Sequence, residues 1–166
     1  MIKAPLRRRF LQGVAGLGLS LPFLSACGAA PAQAKKGFRI SKTAAQWRKV
    51  LTKSEYYILR DAGTERAYTS PLNKEKRKGT YVCAGCKNRL YSSAHKYDSK
   101  TGWPSFYKAI DSGAVGTSTD YKIGYPRTEV HCADCGGHLG HIFGDGPKPT
   151  GKRHCINGVA MDFIPA

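Results

Sequence analysis

The stretch VCAGCKN, residues 82–88, holds two cysteines separated by two residues, and HCADCGG, residues 131–137, repeats this spacing. Each pair is followed by turn-forming residues, which is typical of zinc knuckles. Four thiolates satisfy the tetrahedral preference of Zn²⁺ and leave no open position, so such a site is structural. The spacing therefore predicts a zinc site that ties two distant loops together. The predicted ligands are Cys83, Cys86, Cys132 and Cys135.

The paired cysteines also allow two other interpretations. They can form disulfides or redox-active dithiols, although a redox C-x-x-C belongs at the start of a helix, and CAGC and CADCGG have the composition of turns. Zinc knuckles also occur in modules that bind nucleic acids, so the pattern predicts a metal without deciding a function.

The first residues have the composition of an export signal. Lys3 and the arginines at 7–9 precede an apolar run at residues 10–24, which is too short to span a bilayer as a helix. RRRFLQ resembles a twin-arginine signal, which predicts transport of the folded protein to the periplasm or cell envelope of a bacterium. We assign residues 1–27 to the signal, 28–40 to a flexible linker and 41–166 to the folded domain.

Two processing sites compete in this region. LSAC, residues 24–27, resembles a lipobox, which would lipidate Cys27 and attach the protein to a membrane. AQA, residues 32–34, resembles an ordinary small-residue site with cleavage after Ala34. In both cases Cys27 is not a free thiol of the mature protein, and Cys155 is left as the cysteine without a partner.

The chain is strongly basic, with 27 basic and 11 acidic residues and a formal charge of +16. Residues 1–27 hold four basic residues and no acids, so their removal leaves +12. The basic residues are spread along the chain, which favours attraction to a membrane surface or no specific partner over nucleic acid. The 166 residues suffice for one ordinary domain, which we expect to be a monomer.

Local signals predict helices first and strands afterwards. Thr43 with Gln46 and Thr52 with Glu55 match capping boxes, which indicate two short N-terminal helices. Farther along, short runs rich in Tyr, Val, Ile and Phe alternate with turn residues. The predicted strands are GTYVCAG (79–85), RLYSS (89–93), DYKIGY (120–125), TEVHCA (128–133), HLGHIFG (138–144) and INGVAMDFIP (156–165). The predicted fold class is mainly β and antiparallel.

Cys155, in RHCIN at residues 153–157, is the candidate nucleophile. A thiol with the usual pKa is only about 3% thiolate at pH 7, so a catalytic thiol needs neighbours that favour ionisation. Residues two apart on a strand share a face, so Arg153 and Asn157 are expected beside the thiol. The alternative, a small buried hydrophobic residue, fits these polar neighbours less well.

Two more groups of residues are candidates for the active site. His138 and His141, in GHLGHIFGDGP, can hold a proton or a water for a leaving oxygen, and Asp145 is near enough in sequence to orient one of them. Trp103 and Phe106, in TGWPSFY, can form an aromatic wall around a small apolar group such as a methyl. The alternative for each is a residue packed in the core.

Five motifs in order, GTERAYTSPLN, KGTYVCAGC, TGWPSFY, RTEVHCADCGGHLGHIF and DGPKPTGKRHCIN, resemble the methionine-R-sulfoxide reductase B family over about residues 43–164. The resemblance implies a fold of two antiparallel sheets with a structural zinc on four cysteines. It also implies a peptide-methionine (R)-S-oxide reductase, an enzyme that repairs oxidised methionine in proteins. A basic zinc-knuckle module that binds nucleic acid is the alternative.

The resemblance further implies a role for each candidate residue. Cys155 matches the catalytic cysteine, Trp103 the wall of the methyl pocket, His138 and His141 the histidines that hold the sulfoxide oxygen and its water, and Arg153, Asp145 and Asn157 the supporting polar residues. In the implied reaction the Cys155 thiolate attacks the sulfoxide sulfur, methionine leaves, and Cys155 becomes a sulfenic acid.

Three positions depart from the family's pattern: FGDG replaces a more usual acidic pair, Gly158 stands where Ser is common, and the third departure affects the mechanism. Many members have a resolving cysteine just before GWPSF, but Thr101 occupies that place here. The usual intramolecular disulfide cannot form by that route. We therefore expect an external, thioredoxin-like reductant to attack the sulfenic acid directly.

Overall fold

A computed structural model of the chain describes residues 37–166. The predicted export signal, both processing sites and most of the linker fall on residues 1–36 and lie outside the described residues. The helices are α1 (Ala44–Val50) and α2 (Lys53–Asp61), and the strands are β1 (Gly79–Cys83), β2 (Arg89–Ser92), β3 (Lys96–Tyr97), β4 (Ser105–Phe106), β5 (Val115–Asp120), β6 (Arg127–Cys132), β7 (His138–Phe143), β8 (Arg153–Ile156) and β9 (Met161–Pro165). Within 37–166, no helix has the length and apolar character needed to cross a membrane.

Both helices begin at the predicted capping boxes. The Thr43 side chain accepts a hydrogen bond from the Gln46 amide, and the Gln46 side chain accepts one from the Thr43 amide. Thr52 and Glu55 make the same reciprocal pair at the start of α2. Each box satisfies amides that have no partner inside the helix, and this explains why such short segments begin where they do.

The two helices cover the turn between the first pair of cysteines. A Cβ built on Gly85, between Cys83 and Cys86, would lie 3.4 Å from both Trp47 and Leu59, so α1 and α2 pack directly on this turn. The Arg60 guanidinium lies 4.5 Å from the centre of the Trp47 ring. The apolar faces of the helices are therefore buried against the cysteine loops.

The strands form two antiparallel sheets, which confirms the predicted fold class. One sheet has three strands in the order β2-β1-β9, and the other has six in the order β3-β4-β8-β7-β6-β5. Three buried aromatic rings join them. Phe106 of the larger sheet stacks on Tyr91 of the smaller at 4.3 Å and meets the edge of Tyr81 at 5.0 Å. Burial of such rings supplies several kcal/mol of the folding free energy, of the order of 2–3 kcal/mol each.

The predicted strand DYKIGY is wrong except for its first residue. Strand β5 ends at Asp120, and residues 121–126 form the connection to β6. The Asp120 side chain accepts a hydrogen bond from the Lys122 amide, and Gly124 adopts a positive φ of 88°. The apolar side chains in this segment therefore belong to a turn, and Tyr121 and Tyr125 are exposed.

Other boundaries also differ from the prediction. INGVAMDFIP is divided, because β8 ends at Ile156, a short turn follows, and β9 begins at Met161. The two-residue strands β3 and β4 were not predicted. The end of the proposed linker is packed on the domain, since Arg39 pairs with Asp134 and the Ile40 amide donates to the Asp134 carbonyl oxygen at 2.8 Å.

Candidate active site

Cys155 lies in a small pocket on the larger sheet, which we call the Cys155 pocket. Its volume is about 130 Å³. The lining residues are Thr64, Trp103, Arg127, Gly140, His141, Phe143, Cys155 and Asn157. Apolar and aromatic groups make up most of its wall, and its polar groups are the thiol, an imidazole, an amide, the Arg127 guanidinium and the Thr64 hydroxyl. The pocket can therefore hold a small apolar group next to a thiol.

Strands β7 and β8 carry the reactive side chains. His141 is directly opposite Cys155 in the register of these strands. A Cβ on the neighbouring Gly140 would lie 2.0 Å from the Cys155 carbonyl oxygen, so only glycine permits this close pairing. His154, the residue before Cys155, faces the core instead, where its Nδ1 is 3.2 Å from the Tyr91 hydroxyl. Burial lowers the pKa of His154 to about 4.

A bulge brings the two predicted histidines together. Residues three apart on a regular strand face opposite sides of a sheet. The β6–β7 register shifts between Val130 and His131, and His131 then pairs with His138. This irregularity turns His138 toward His141, and their ring centres are 5.3 Å apart.

Each histidine binds a carboxylate that the sequence did not single out. His138 Nδ1 is 2.7 Å from Glu129, and His141 Nε2 is 2.7 Å from Asp120. The hydrogen bond from His138 lowers the pKa of Glu129 to about 2. Two hydrogen bonds, the stronger effect from the Lys122 amide and the next from His141, lower the pKa of Asp120 to about 2. Both carboxylates are ionised at neutral pH and fix the orientation of the imidazoles.

The prediction that Asp145 orients a histidine is wrong. Asp145 instead accepts two hydrogen bonds from the Arg153 guanidinium, both at 2.9 Å. Arg153 also lies 4.4 Å from the centre of the Phe143 ring, which lines the Cys155 pocket. The pair therefore holds a cation beside the thiol rather than a proton-transfer group.

Burial raises the pKa of the Cys155 thiol above its ordinary value, although the charge of Arg153 and hydrogen bonds from Thr101 and Arg153 lower it. The expected neighbours are present, but desolvation outweighs them, so the expected thiolate is not the resting form. Burial also lowers the pKa of His141, which outweighs its hydrogen bond to Asp120. At neutral pH the pocket therefore contains a protonated thiol opposite an uncharged imidazole.

Asn157 and Trp103 are held by the same residue. Asn157 follows the end of β8; its side-chain oxygen accepts from the Glu65 amide at 2.9 Å, and its NH₂ group donates to the Leu139 carbonyl oxygen. The Trp103 indole donates to the Glu65 carbonyl oxygen at 3.1 Å. The Glu65 carboxylate accepts from the amides of Gly158 and the next residue. Glu65 was not predicted, and it joins both walls of the pocket.

Phe106 does not line the pocket. Its side chain is fully buried against Tyr81 and Tyr91 in the core. Of the two predicted aromatic residues only Trp103 is in the pocket, and Phe143, which was not predicted, is the second aromatic residue there. Phe106 therefore packs between the sheets.

The four paired cysteines form one compact cluster, which we call the cysteine cluster. Their sulfur atoms all lie within 4.8 Å of one another. The Sγ atoms of Cys83 and Cys135 are 3.8 Å apart, and those of Cys86 and Cys132 are 3.5 Å apart. Ligands about 2.3 Å from a tetrahedral ion are separated by about 3.8 Å, and these two separations are close to that value, so the donor set fits Zn²⁺.

Neighbouring groups suit a negatively charged metal centre. The Asn88 amide is 3.5 Å from Cys132 Sγ, and the Arg60 guanidinium is 3.8 Å from Cys135 Sγ. The pKa of Cys83 is raised by hydrogen bonds with the other thiols, of which the one with Cys132 has the largest effect, and by burial. The thiols compete for protons at this distance, and a central cation would allow all of them to ionise.

Comparison with known proteins supports the resemblance. The SelR domain family matches residues 51–165. A peptide methionine sulfoxide reductase MsrB from Leptospira interrogans is 50% identical over 126 residues, which cover 76% of this chain and 96% of that protein. Proteins with the same name from Thiobacillus denitrificans and Methanosarcina barkeri are 51% and 49% identical, over 75% of this chain and 94% and 87% of their own lengths. The chain belongs to the MsrB family.

Thr101 occupies the position at which many members of the MsrB family are expected to have a resolving cysteine. The Thr101 hydroxyl is 4.0 Å from Cys155 Sγ, so the residue at the resolving position lies next to the candidate nucleophile. It is also 2.9 Å from the Ser99 hydroxyl. In the described part of the chain every cysteine other than Cys155 belongs to the cysteine cluster. No second thiol in this part is placed to resolve an oxidised Cys155.

Several residues of the site were missed in the sequence, namely Thr64, Glu65, Asp120, Arg127, Glu129 and Phe143. One signal was available for two of them. Arg127 and Glu129 are two apart on β6, and polar residues at that spacing share a face of a strand. Asp120 had no such signal, because its contact with His141 depends on the register of two strand pairs.

Proposed function

We propose that the protein reduces methionine R-sulfoxide in polypeptides to methionine, with Cys155 as the nucleophile. The observation that carries this proposal is the single thiol opposite an uncharged histidine in a pocket with aromatic walls. Trp103 and Phe143 provide apolar surface for the terminal methyl of the substrate, and the Trp103 ring is fixed by its bond to Glu65. Family membership supports the same reaction, and the choice of the R epimer rests on the family alone.

The proton chemistry follows from the tautomer of His141. Its Nε2 faces the Asp120 carboxylate, which can only accept, so Nε2 carries the hydrogen and Nδ1 is left as a base. His141 lies across from Cys155 and lines the same pocket, so it is the group suited to take the thiol proton. The positive charge of Arg153 then stabilises the thiolate.

The first half-reaction balances within the pocket. Cys155 Sγ attacks the sulfoxide sulfur, oxygen passes to Sγ, and the thiol proton ends on that oxygen. The cysteine sulfur is oxidised to a sulfenic acid, and the sulfoxide sulfur is reduced by two electrons to methionine. His138 is behind His141 rather than in the lining of the pocket; Glu129 fixes its ring, and its buried Nε2 has no hydrogen-bond partner among the described residues, so it is free to bind the departing oxygen or a water.

An external dithiol would complete the cycle. One thiol attacks the sulfenic acid, releases water and forms a mixed disulfide with Cys155, and the second thiol releases Cys155. The neighbouring Thr101 offers no sulfur for an internal disulfide. A thioredoxin-like protein has the required chemistry. Peptide mapping after one turnover tests this, because an internal disulfide to Cys155 would contradict it.

The decisive experiment replaces the nucleophile. Cys155→Ser should abolish dithiothreitol-driven reduction of a methionine R-sulfoxide peptide, while zinc content and the circular dichroism spectrum stay unchanged. The S-sulfoxide of the same peptide is the control for epimer choice with the unaltered protein. Retained activity in the serine variant would reject the proposed function.

We further propose that zinc occupies the cysteine cluster and that residues 1–27 direct export to the bacterial envelope. The cluster would hold zinc through Cys83, Cys86, Cys132 and Cys135, and the ion would cross-link two loops without contacting substrate. The basic residues and apolar run of the N-terminus support export. Metal analysis tests the first proposal. The intact mass of the mature protein tests the second and distinguishes lipidation at Cys27 from cleavage after Ala34.

A further inference from the structure

A second, larger pocket meets the Cys155 pocket at Trp103. It has a volume of about 320 Å³ and is lined by Lys74, Lys96, Asp98, Lys100 and Trp103, among others, and we call it the lysine pocket. Both pockets use Trp103 as a wall. A polypeptide that placed a side chain in the Cys155 pocket would therefore pass close to the lysine pocket.

The lysine pocket has an excess of positive charge, with three lysines and one aspartate in its lining. Asp98 pairs with Lys100 at 2.7 Å, so these two charges offset each other. Lys74 and Lys96 form no ion pair with any residue in the range 37–166. The ammonium group of Lys96 is partly buried and donates at 3.0 Å to a neutral acceptor, the Asn73 carbonyl oxygen. Asp98 and Glu75 attract this ammonium group from a distance, but neither pairs with it. An ammonium group has three hydrogens to donate, and its partial burial without a paired counter-charge is unfavourable, so the site favours an anion.

Strand spacing sets the distance between the two pockets. Tyr97 pairs with Ser105, which pairs with Cys155, whereas Lys96 pairs with Phe106. Because β3 is at the edge of the larger sheet, the long Lys96 side chain can still line the pocket that Trp103 shares. Neighbouring strands are about 4.8 Å apart, so the backbones of Tyr97 and Cys155 are separated by about 10 Å. An extended peptide advances about 3.3 Å per residue. A side chain one to three residues from the one in the Cys155 pocket would reach the lysine pocket.

We propose that the lysine pocket is a substrate subsite that binds the carboxylate of an aspartate or glutamate located one to three residues from the methionine sulfoxide. The inference rests on the proposed function and deepens it, because it assigns a sequence preference to the same active site. Lys96 makes the central contact and Lys74 adds positive charge at the edge. The protein then selects oxidised methionines in acidic sequence contexts.

The experiment uses peptides with one methionine R-sulfoxide and a single aspartate moved through the three positions on each side. Matched peptides carry asparagine at the same position. We expect kcat/KM to be about fivefold higher for aspartate than for asparagine at one or two positions, the gain of a partly exposed ion pair. Lys96→Gln should reduce this ratio to about one.

The control separates a local subsite from attraction by the net charge. Lys53→Gln removes the same charge from an exposed position on α2 and should preserve the aspartate preference. An equal loss in both variants, or an equal preference at all six positions, would overturn the subsite. Reduction of asparagine peptides without any aspartate preference would overturn the subsite alone. Failure to reduce any peptide would overturn the proposed function together with the subsite.

Discussion

The cysteine cluster and the Cys155 pocket share strand β6, which carries Arg127 at one end and Cys132 at the other, but they use thiols in opposite ways. In the cluster, four sulfurs lie within 4.8 Å of one another, and each has other thiols as its neighbours. In the pocket, one sulfur is surrounded by an imidazole, a guanidinium and a hydroxyl. The first arrangement suits a closed metal site, and the second leaves the thiol available to a substrate. The neighbours of a cysteine therefore decide its chemistry.

The strongest test removes one thiol from each region. Cys132→Ser should lose the metal and most of the folding stability, roughly 5 kcal/mol or more, because an incomplete tetrahedral site no longer links the loops. Cys155→Ser should change the free energy of unfolding by only about 1 kcal/mol and remove all activity. Thermal unfolding and zinc content measure this contrast. The comparison fails if Cys132→Ser unfolds at the same temperature as the unaltered protein.

The carboxylate behind His141 should matter for rate but not for metal binding. Asp120→Ala removes the acceptor that fixes the His141 tautomer, and we expect kcat to fall about 10- to 100-fold. Zinc content should be unchanged, since Asp120 belongs to the pocket region. Asp61→Ala, at the exposed end of α2, is the matched control and should keep full activity. A rate within twofold of the unaltered protein would show that Asp120 has no such role.

Features that depend on residues close together in the sequence were predictable, whereas contacts between distant strands were not. Each cysteine pair and each capping box joins residues three apart, so spacing alone located them. The motifs placed Cys155, His141 and Trp103 together. They could not show which carboxylate meets a histidine, because the pairing of Asp120 with His141 is set by strand register.

The remaining errors involve burial, which spacing does not report. Phe106 lies in a two-residue strand, too short for alternation to reveal that its ring faces the core. For Cys155, the sequence identified the cation that lowers the pKa of the thiol. It did not show the desolvation, which raises that pKa and has the larger effect. Both terms become known only when the two sheets are assembled around the pocket.

The ion pair beside Cys155 offers substitutions with opposite effects on the thiol. Arg153 lowers the pKa of Cys155, whereas the charge of Asp145 raises it. Arg153→Met should therefore shift thiolate formation to higher pH, and Asp145→Asn should shift it to lower pH. We expect a few-fold change in reactivity at neutral pH in each direction, since a tenfold change corresponds to one pKa unit. The pH dependence of Cys155 alkylation by iodoacetamide, followed by peptide mass, measures both shifts. Shifts in the same direction would contradict this account.

The smallest effect is expected at Thr101, where the hydroxyl is 4.0 Å from the thiol. Thr101→Val keeps the shape of the side chain and removes the hydroxyl, so the pKa of Cys155 should rise and the rate at neutral pH should fall about two- to threefold. Thr101→Ser retains the hydroxyl and should behave like the unaltered protein. Thr101→Cys places a second thiol beside Cys155, and after one turnover we expect an internal disulfide that the unaltered protein does not form. In that variant a neighbouring thiol would determine the chemistry of Cys155, as neighbouring thiols do in the cysteine cluster.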